Sequence, residues 1–196
     1  MRIDHRHSGR IVRPNIMKQF LLLAALCLVN TFGATQLEPG LIGEYFDLGS
    51  PVEDFPKIAV DQKPTLERID KSINFKSAGD TFPGTKLQSH FAIRWSGKIK
   101  LPSDGRYTFY LESDDGSRLL IDGKQVLDNG GLHEMQESDA SIELKAGEHD
   151  LVIDYFENEN DGGAGCVLSW KSETVKKEAV PASVLFHVAS APSEAK

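Results

Sequence analysis

From Phe91 to Trp170 apolar residues recur at every second position, and this alternation constrains the fold more than any other feature. Phe91, Ile93 and Trp95 form one such series. Tyr107, Phe109 and Leu111 form a second, Leu151, Ile153 and Tyr155 a third, and Cys166, Leu168 and Trp170 a fourth. Successive strand side chains point to opposite faces, so each series marks the buried face of a β-strand. The series are cut by turn signals at Pro102-Ser-Asp-Gly105, Asp122-Gly123 and Ala146-Gly147. Asp-Gly between Leu119–Ile121 and Gln125–Leu127 predicts a two-residue hairpin turn, which needs positive φ. Upstream, Leu41–Phe46 reads as a first strand. Residues 48–88, carrying Pro51, Pro56, Pro64 and Pro83, read as a long connection holding one or two short strands. Ala179–Phe186 reads as a closing strand, and no segment predicts a helix longer than two turns. The expectation is an all-β, antiparallel sandwich or barrel with Trp95, Tyr107, Phe109, Tyr155 and Trp170 in its core.

The start of the chain reads as a secretory leader. Lys18 precedes an apolar run from Phe20 to Val29, too short to span a bilayer and suited to a signal peptide. Small residues then place cleavage after Gly33, so residues 1–33 are expected to be removed; Met17 is an alternative start. This gives a β domain over 34–187 and a small, polar, disordered tail over 188–196. Location would be secreted, periplasmic or at the cell surface. Removing residues 1–33 takes away five Lys/Arg and one Asp, so the formal charge falls from −7 to −11. Such acidity argues against binding nucleic acid or an anionic membrane, and no membrane insertion is expected once the leader is gone. Cys166 would be the only cysteine left, excluding an intrachain disulfide and suggesting a buried, inert thiol.

Two adjacent carboxylates, Asp114 and Asp115, stand at a turn between apolar runs. They repel each other unless water, a donor or a cation intervenes. Two readings stand: a calcium site, since that ion takes oxygen ligands, or a turn whose Asp side chains accept backbone N–H groups. Glu157–Gly165 is a second loop rich in oxygen ligands. It fails as an EF-hand because Leu168 occupies the last ligand position. No pair of histidines has zinc-ligand spacing. Arg118 is expected to pair with Asp115 or Asp122. Phe156 and Tyr110 have the opposite parity to the core series and are expected to be exposed. No nucleophile elbow, zinc-protease helix or phosphate loop is present, so no enzyme is expected.

Several motifs in order carry a family resemblance: Gly40-Leu-Ile-Gly-Glu-Tyr-Phe46, Ile93-Arg-Trp-Ser-Gly97, Gly105-Arg-Tyr-Thr-Phe109, Ser113-Asp-Asp-Gly-Ser-Arg-Leu119, Ile121-Asp-Gly-Lys124, Leu144-Lys-Ala-Gly147, Tyr155-Phe156 and Leu168-Ser-Trp170. Over residues 40–187 the chain resembles the PA-fourteen domain, named after the anthrax protective antigen. The resemblance implies the antiparallel β-sandwich or barrel of that family and an extracellular setting. It implies an accessory module rather than a catalytic one. In the yeast adhesins of the family, a paired Asp joined by a cis peptide holds a calcium ion that a sugar diol then ligates; Asp114 and Asp115 match that pair. The adhesins place an Asn two residues after a Tyr in the second loop, where this chain has Glu157, with Asn158 the nearest substitute. The resemblance thus implies a metal set drawn from Asp114, Asp115, Glu157, Asn158, Glu159 and Asp161. Sugar contacts are expected from Asp114, Asp115, Asn129, His133, Phe156 and Asn160. The expected function is calcium-dependent binding of a glycan diol. The alternative is an extracellular protein-interaction or structural module without a sugar site.

Overall fold

The alternating series form strands, and the strands form two facing sheets. A computed structural model describes residues 36–59, 61–76, 81–159 and 163–189. In chain order the strands are β1 (Leu37–Pro39), β2 (Leu41–Asp47), β3 (Leu66–Asp70), β4 (Asn74–Phe75), β5 (Phe91–Leu101), β6 (Gly105–Asp114) and β7 (Ser117–Ile121). Then follow β8 (Lys124–Asn129), β9 (Gln136–Leu144), β10 (Gly147–Glu157), β11 (Gly165–Lys171), β12 (Glu178–Ala179) and β13 (Leu185–Val188). The helical content of the described residues is one 3-10 turn, Ala182–Val184. No helix among them is long and apolar enough to cross a membrane.

The first sheet runs β1-β13-β5-β10-β7-β8, with β2 lying between β5 and β3. The second runs β12-β11-β6-β9, with β4 on β11. All pairings are antiparallel, as expected for strands joined by short turns. The turn between β7 and β8 has positive φ at both Asp122 (49°) and Gly123 (73°), the type I′ signature that its Asp-Gly predicts.

The core lies between the sheets. Trp95, Tyr107, Phe109, Tyr155 and Trp170 are all buried, as is Cys166. Each such side chain contributes roughly 1.5–3 kcal/mol of apolar burial. The long connection over 48–88 is part of this core. Its Ile73 and Phe82 are buried, and Phe75 stacks on Trp95 with centroids 5.7 Å apart. It also supplies Asp70, a buried carboxylate that accepts from Tyr45 Oη (2.5 Å), Trp95 Nε1 (2.8 Å) and Arg68 Nε (2.8 Å). Three donors on one carboxylate compensate its burial.

Two expectations on the termini meet the structure differently. The leader over 1–33 lies outside the described residues. Of the tail expected over 188–196, residues 190–196 lie outside the described residues, while Val188 pairs with Leu37 in β1 and Ala189 N–H donates to Gln36 O at 2.9 Å. Backbone pairing with β1 holds these residues, an edge that composition does not reveal.

Candidate functional site

The chain crosses between the sheets three times at one end of the sandwich. It leaves β6 at Asp114 and enters β7 at Ser117. It leaves β8 at Asn129 and enters β9 at Gln136. It leaves β10 at Glu157 and enters β11 at Gly165. Register brings these ends together, with Asp114 opposite Gly165, Ser113 opposite Gln136, and Ser117 between Asn129 and Tyr155. The Asp pair therefore sits where three crossings converge.

The peptide bond between Asp114 and Asp115 is cis. Gly116 follows because the site tolerates no side chain there. A Cβ on it would lie 2.3 Å from Phe156 Cε1 and 3.2 Å from Gly131 O. Asp115 clamps the other two crossings: Oδ1 accepts His133 N–H at 2.7 Å and Oδ2 accepts Asn158 N–H at 3.0 Å. Tyr155 Oη donates to Asp114 O at 2.5 Å and lies 3.1 Å from Glu157 Oε2. Beneath, Ser113 and Ser117 hydroxyls meet at 2.7 Å, and Asn129 Nδ2 donates to Ser113 Oγ and to Gln136 O.

Asp114, Asp115 and Glu157 each offer a carboxylate oxygen within 4.8 Å of the others, and all three are buried. Burial, then the charges of Asp115 and Asp114, push the Glu157 carboxyl up to about 8, against hydrogen bonds from Tyr155 and the Asp115 N–H. A cavity of about 260 Å³ opens over Asp114 and Asp115, walled by Leu132, His133, Glu134, Asn158 and Glu159.

The expected site residues divide. Asp114, Asp115 and Glu157 come together, and Glu159 lies exposed at the cavity wall. Asn158 also lines it, but its Oδ1 accepts Val52 N–H at 2.9 Å, so it anchors the 51–59 segment. His133 lines the cavity with both ring nitrogens engaged, on Glu134 O and Asn129 O. Asn129 is a correction. It is 2 % exposed, its Oδ1 accepts from Ser138 Oγ at 2.7 Å, and it braces the crossings from below instead of facing a ligand. Phe156 is a second correction. It is fully buried because the connection over 48–88 lays Phe55 edge-on against it, centroids 5.3 Å apart. Tyr110 is likewise covered, with Lys177 Nζ 4.0 Å from its ring centroid. Arg118 pairs with neither Asp115 nor Asp122. Register sets it opposite Asp154, whose Oδ2 accepts its Nε and Nη2 at 2.9 and 2.7 Å. Asn160 and Asp161 lie outside the described residues.

Sequence reasoning missed two residues. Tyr155 was assigned to the core alone, whereas its hydroxyl reaches both Asp114 and Glu157. Leu132 was overlooked although it is 49 % exposed at the cavity wall. Its position after Gly130-Gly131 was the available signal.

A second, larger cavity of about 790 Å³ lies on the outer face of the first sheet, between the 53–58 segment and Gly130-Gly131.

Comparison with known proteins agrees with this architecture. The chain is 30% identical over 148 residues to the anti-sigma-I factor RsgI3 of Acetivibrio thermocellus, a match covering 75% of this chain and 21% of that protein. An anti-sigma factor domain-containing protein from Clostridium clariflavum has a solved structure with a TM-score of 0.62. It is 29% identical, over 79% of this chain and 49% of that one. The solved PA14 sugar-binding domain of an RTX adhesin superposes with a TM-score of 0.64 at 18% identity, over 76% of this chain and 98% of that one. The chain thus spans about a fifth of the curated relative it matches and about half of the solved anti-sigma chain. This finding overturns the expected location. The relatives near 30% identity are named as anti-sigma factors, not as secreted or surface proteins, and a leader-like run at Phe20–Val29 does not place a domain that recurs as one part of longer regulators. The family model for the PA14 domain matches residues 37–183, and this chain belongs to the PA14 domain family.

Proposed function

We propose that this domain binds a glycan through a calcium ion held by Asp114, Asp115 and Glu157. The observation that carries the reading is the gathering of three buried carboxylates, oxygens within 4.8 Å of one another, two of which, Asp114 and Asp115, line an open cavity. Oxygens bound to calcium lie about 2.3–2.6 Å from the ion, so two on opposite sides stand roughly 4.6–5.2 Å apart. The spacing here suits such a shell, and a divalent cation would offset the burial and mutual repulsion that raise the Glu157 carboxyl beside Asp115 and Asp114. Calcium bound there would supply further coordination positions, which two neighbouring glycan hydroxyls can fill.

The chain's own residues complete the seat. Asp115 fixes the His133 and Asn158 loops relative to the pair. Leu132 offers an apolar surface to the C–H face of a sugar ring, and Glu134 and Glu159 offer acceptors to its hydroxyls. In a longer protein resembling the anti-sigma relatives, the domain would be the part that recognises a glycan. That placement is supported by 30% identity over 148 residues to one of them.

The test is a glycan array probed with the full chain in millimolar calcium and again in excess chelator. Binding that chelator abolishes, and that is absent from Asp114→Ala and Asp115→Ala, is expected. Binding indifferent to chelator refutes the metal seat. A calcium-dependent rise in melting temperature with no glycan bound refutes the sugar reading and favours a protein-interaction module.

A further inference from the structure

The cavity on the outer face of the first sheet is built as carefully as the Asp pair, yet the calcium seat does not use it. Asp154 of β10 lies between Arg94 of β5 and Arg118 of β7. Its Oδ1 accepts Arg94 Nε at 2.7 Å, and its Oδ2 accepts Nε and Nη2 of Arg118. One buried carboxylate thus orients two guanidinium planes. Both Nη atoms of Arg94 and Nη1 of Arg118 have no hydrogen-bond partner among the described residues. The two side chains are 37 % and 30 % exposed and line the cavity. Arg118 also lies over the Phe55 ring, 4.4 Å from its centroid, and Phe55 packs on Phe156. The floor is held in place before any ligand arrives, which lowers the cost of binding.

The two cavities share one loop. Asp128, Gly130 and Gly131 line the large one, and Leu132, His133 and Glu134 line the small one. Adjacent Cα atoms are about 3.8 Å apart, so the cavities adjoin at Gly131 and Leu132. On the outer side of this boundary Gly130 and Gly131 carry no side chain, and a Cβ on Gly130 would stand 3.2 Å from Phe55 Cε2 and 2.9 Å from Asp128 Oδ1.

We infer that the ligand is a neutral oligosaccharide, one unit on the Asp pair and the following units across Gly130-Gly131 in the cavity of Arg94 and Arg118. The inference rests on the sugar reading of the Asp pair. Volume favours several units, since the outer cavity is about 790 Å³ against about 260 Å³ over the pair. The lining decides the class. Lys57, Arg94 and Arg118 are matched by Glu53, Asp54 and Asp128. Such a wall offers donors and acceptors together, which is what hydroxyls use. A carboxylate or sulfate on the sugar would meet as many anionic side chains as cationic ones.

The test is titration calorimetry of the full chain in millimolar calcium with glucose, cellobiose and cellotetraose, and with galactose and its β-1,4-linked dimer and tetramer. Within the series that binds, the tetramer is expected to bind at least about tenfold more tightly than the monomer. Arg94→Ala combined with Lys57→Ala is expected to remove that gain while leaving monomer affinity and the calcium-induced rise in melting temperature unchanged. Because Arg94 touches Asp154, the exposed pair Glu53→Ala and Lys57→Ala provides a second variant, expected to reduce the gain without touching the arginines. Equal affinity for monomer and tetramer, or a gain that survives in both variants, overturns the outer subsite and leaves the calcium seat standing. Absence of calcium-dependent binding to all six sugars overturns the sugar reading, and the subsite with it.

Discussion

Replacing Asp115 by Asn separates its structural role from the metal role proposed for it. The carboxylate accepts two backbone N–H groups, from His133 at 2.7 Å and Asn158 at 3.0 Å. A carboxamide keeps one oxygen and turns an NH2 toward the other donor. One charge-assisted bond is lost and a part-buried N–H is left without an acceptor, a cost of about 1–3 kcal/mol. Relief of repulsion with Asp114 and Glu157 places the net effect toward the lower end. In chelator, for a domain of this size, that is a Tm drop of about 3–10 °C. The proposed calcium seat would add the second role. At a hundredfold excess over Kd the native state gains about 2.7 kcal/mol, or about 5–10 °C. Asp115→Asn is expected to lose most of that gain. Scanning calorimetry of both proteins, each in calcium and in chelator, gives a double difference in which the structural cost cancels. An equal calcium shift in both proteins refutes the metal role of Asp115, and an unchanged Tm in chelator refutes its role as a clamp.

Further outcomes follow from the same geometry. Gly116→Ala forces a Cβ to within 2.3 Å of the buried Phe156 ring, and denaturant unfolding should show a loss of about 1–3 kcal/mol. Asp70→Ala leaves the Tyr45 hydroxyl, the Trp95 N–H and Arg68 without their shared acceptor. The same measurement should show about 3–5 kcal/mol, and a loss below 1 would refute its part in joining the long connection to the core. In chelator, Glu157 holds a proton in the folded chain that the unfolded chain has lost. Stability should therefore fall as pH rises from about 4.5 to about 8, and Glu157→Gln should flatten that fall. His149 is lowered by burial but raised overall by Asp122 and the Lys145 carbonyl, so its stabilisation is present below about 6.5 and lost as pH rises through its folded value. Thermal melts of His149→Ala should show a larger cost at pH 5.5 than at pH 8.5, by under about 1 kcal/mol.

The fold was legible because strand periodicity and turn chemistry are local. Tyr107, Phe109 and Leu111 alternate whatever lies across from them, and Asp122-Gly123 demands positive φ wherever it stands. Ser113-Asp-Asp-Gly116 likewise marked a candidate site by its own composition. The long connection was less legible. Ile73, Phe75 and Phe82 show no period, because they enter the core singly from an irregular path, and only the assembled sandwich gives each its pocket.

Sequence by itself determined the all-β class, the family and the Asp pair, since each is written in residue types at fixed short spacings. Tertiary structure decided which residues join that pair. Glu157 and His133 lie far from Asp114 in the chain and meet it only where three crossings converge. Phe156 changed from surface to core because a segment some hundred residues upstream covers it, and Arg118 found Asp154 through strand register. Burial and register are sums over distant parts of the chain, and no window of sequence contains them.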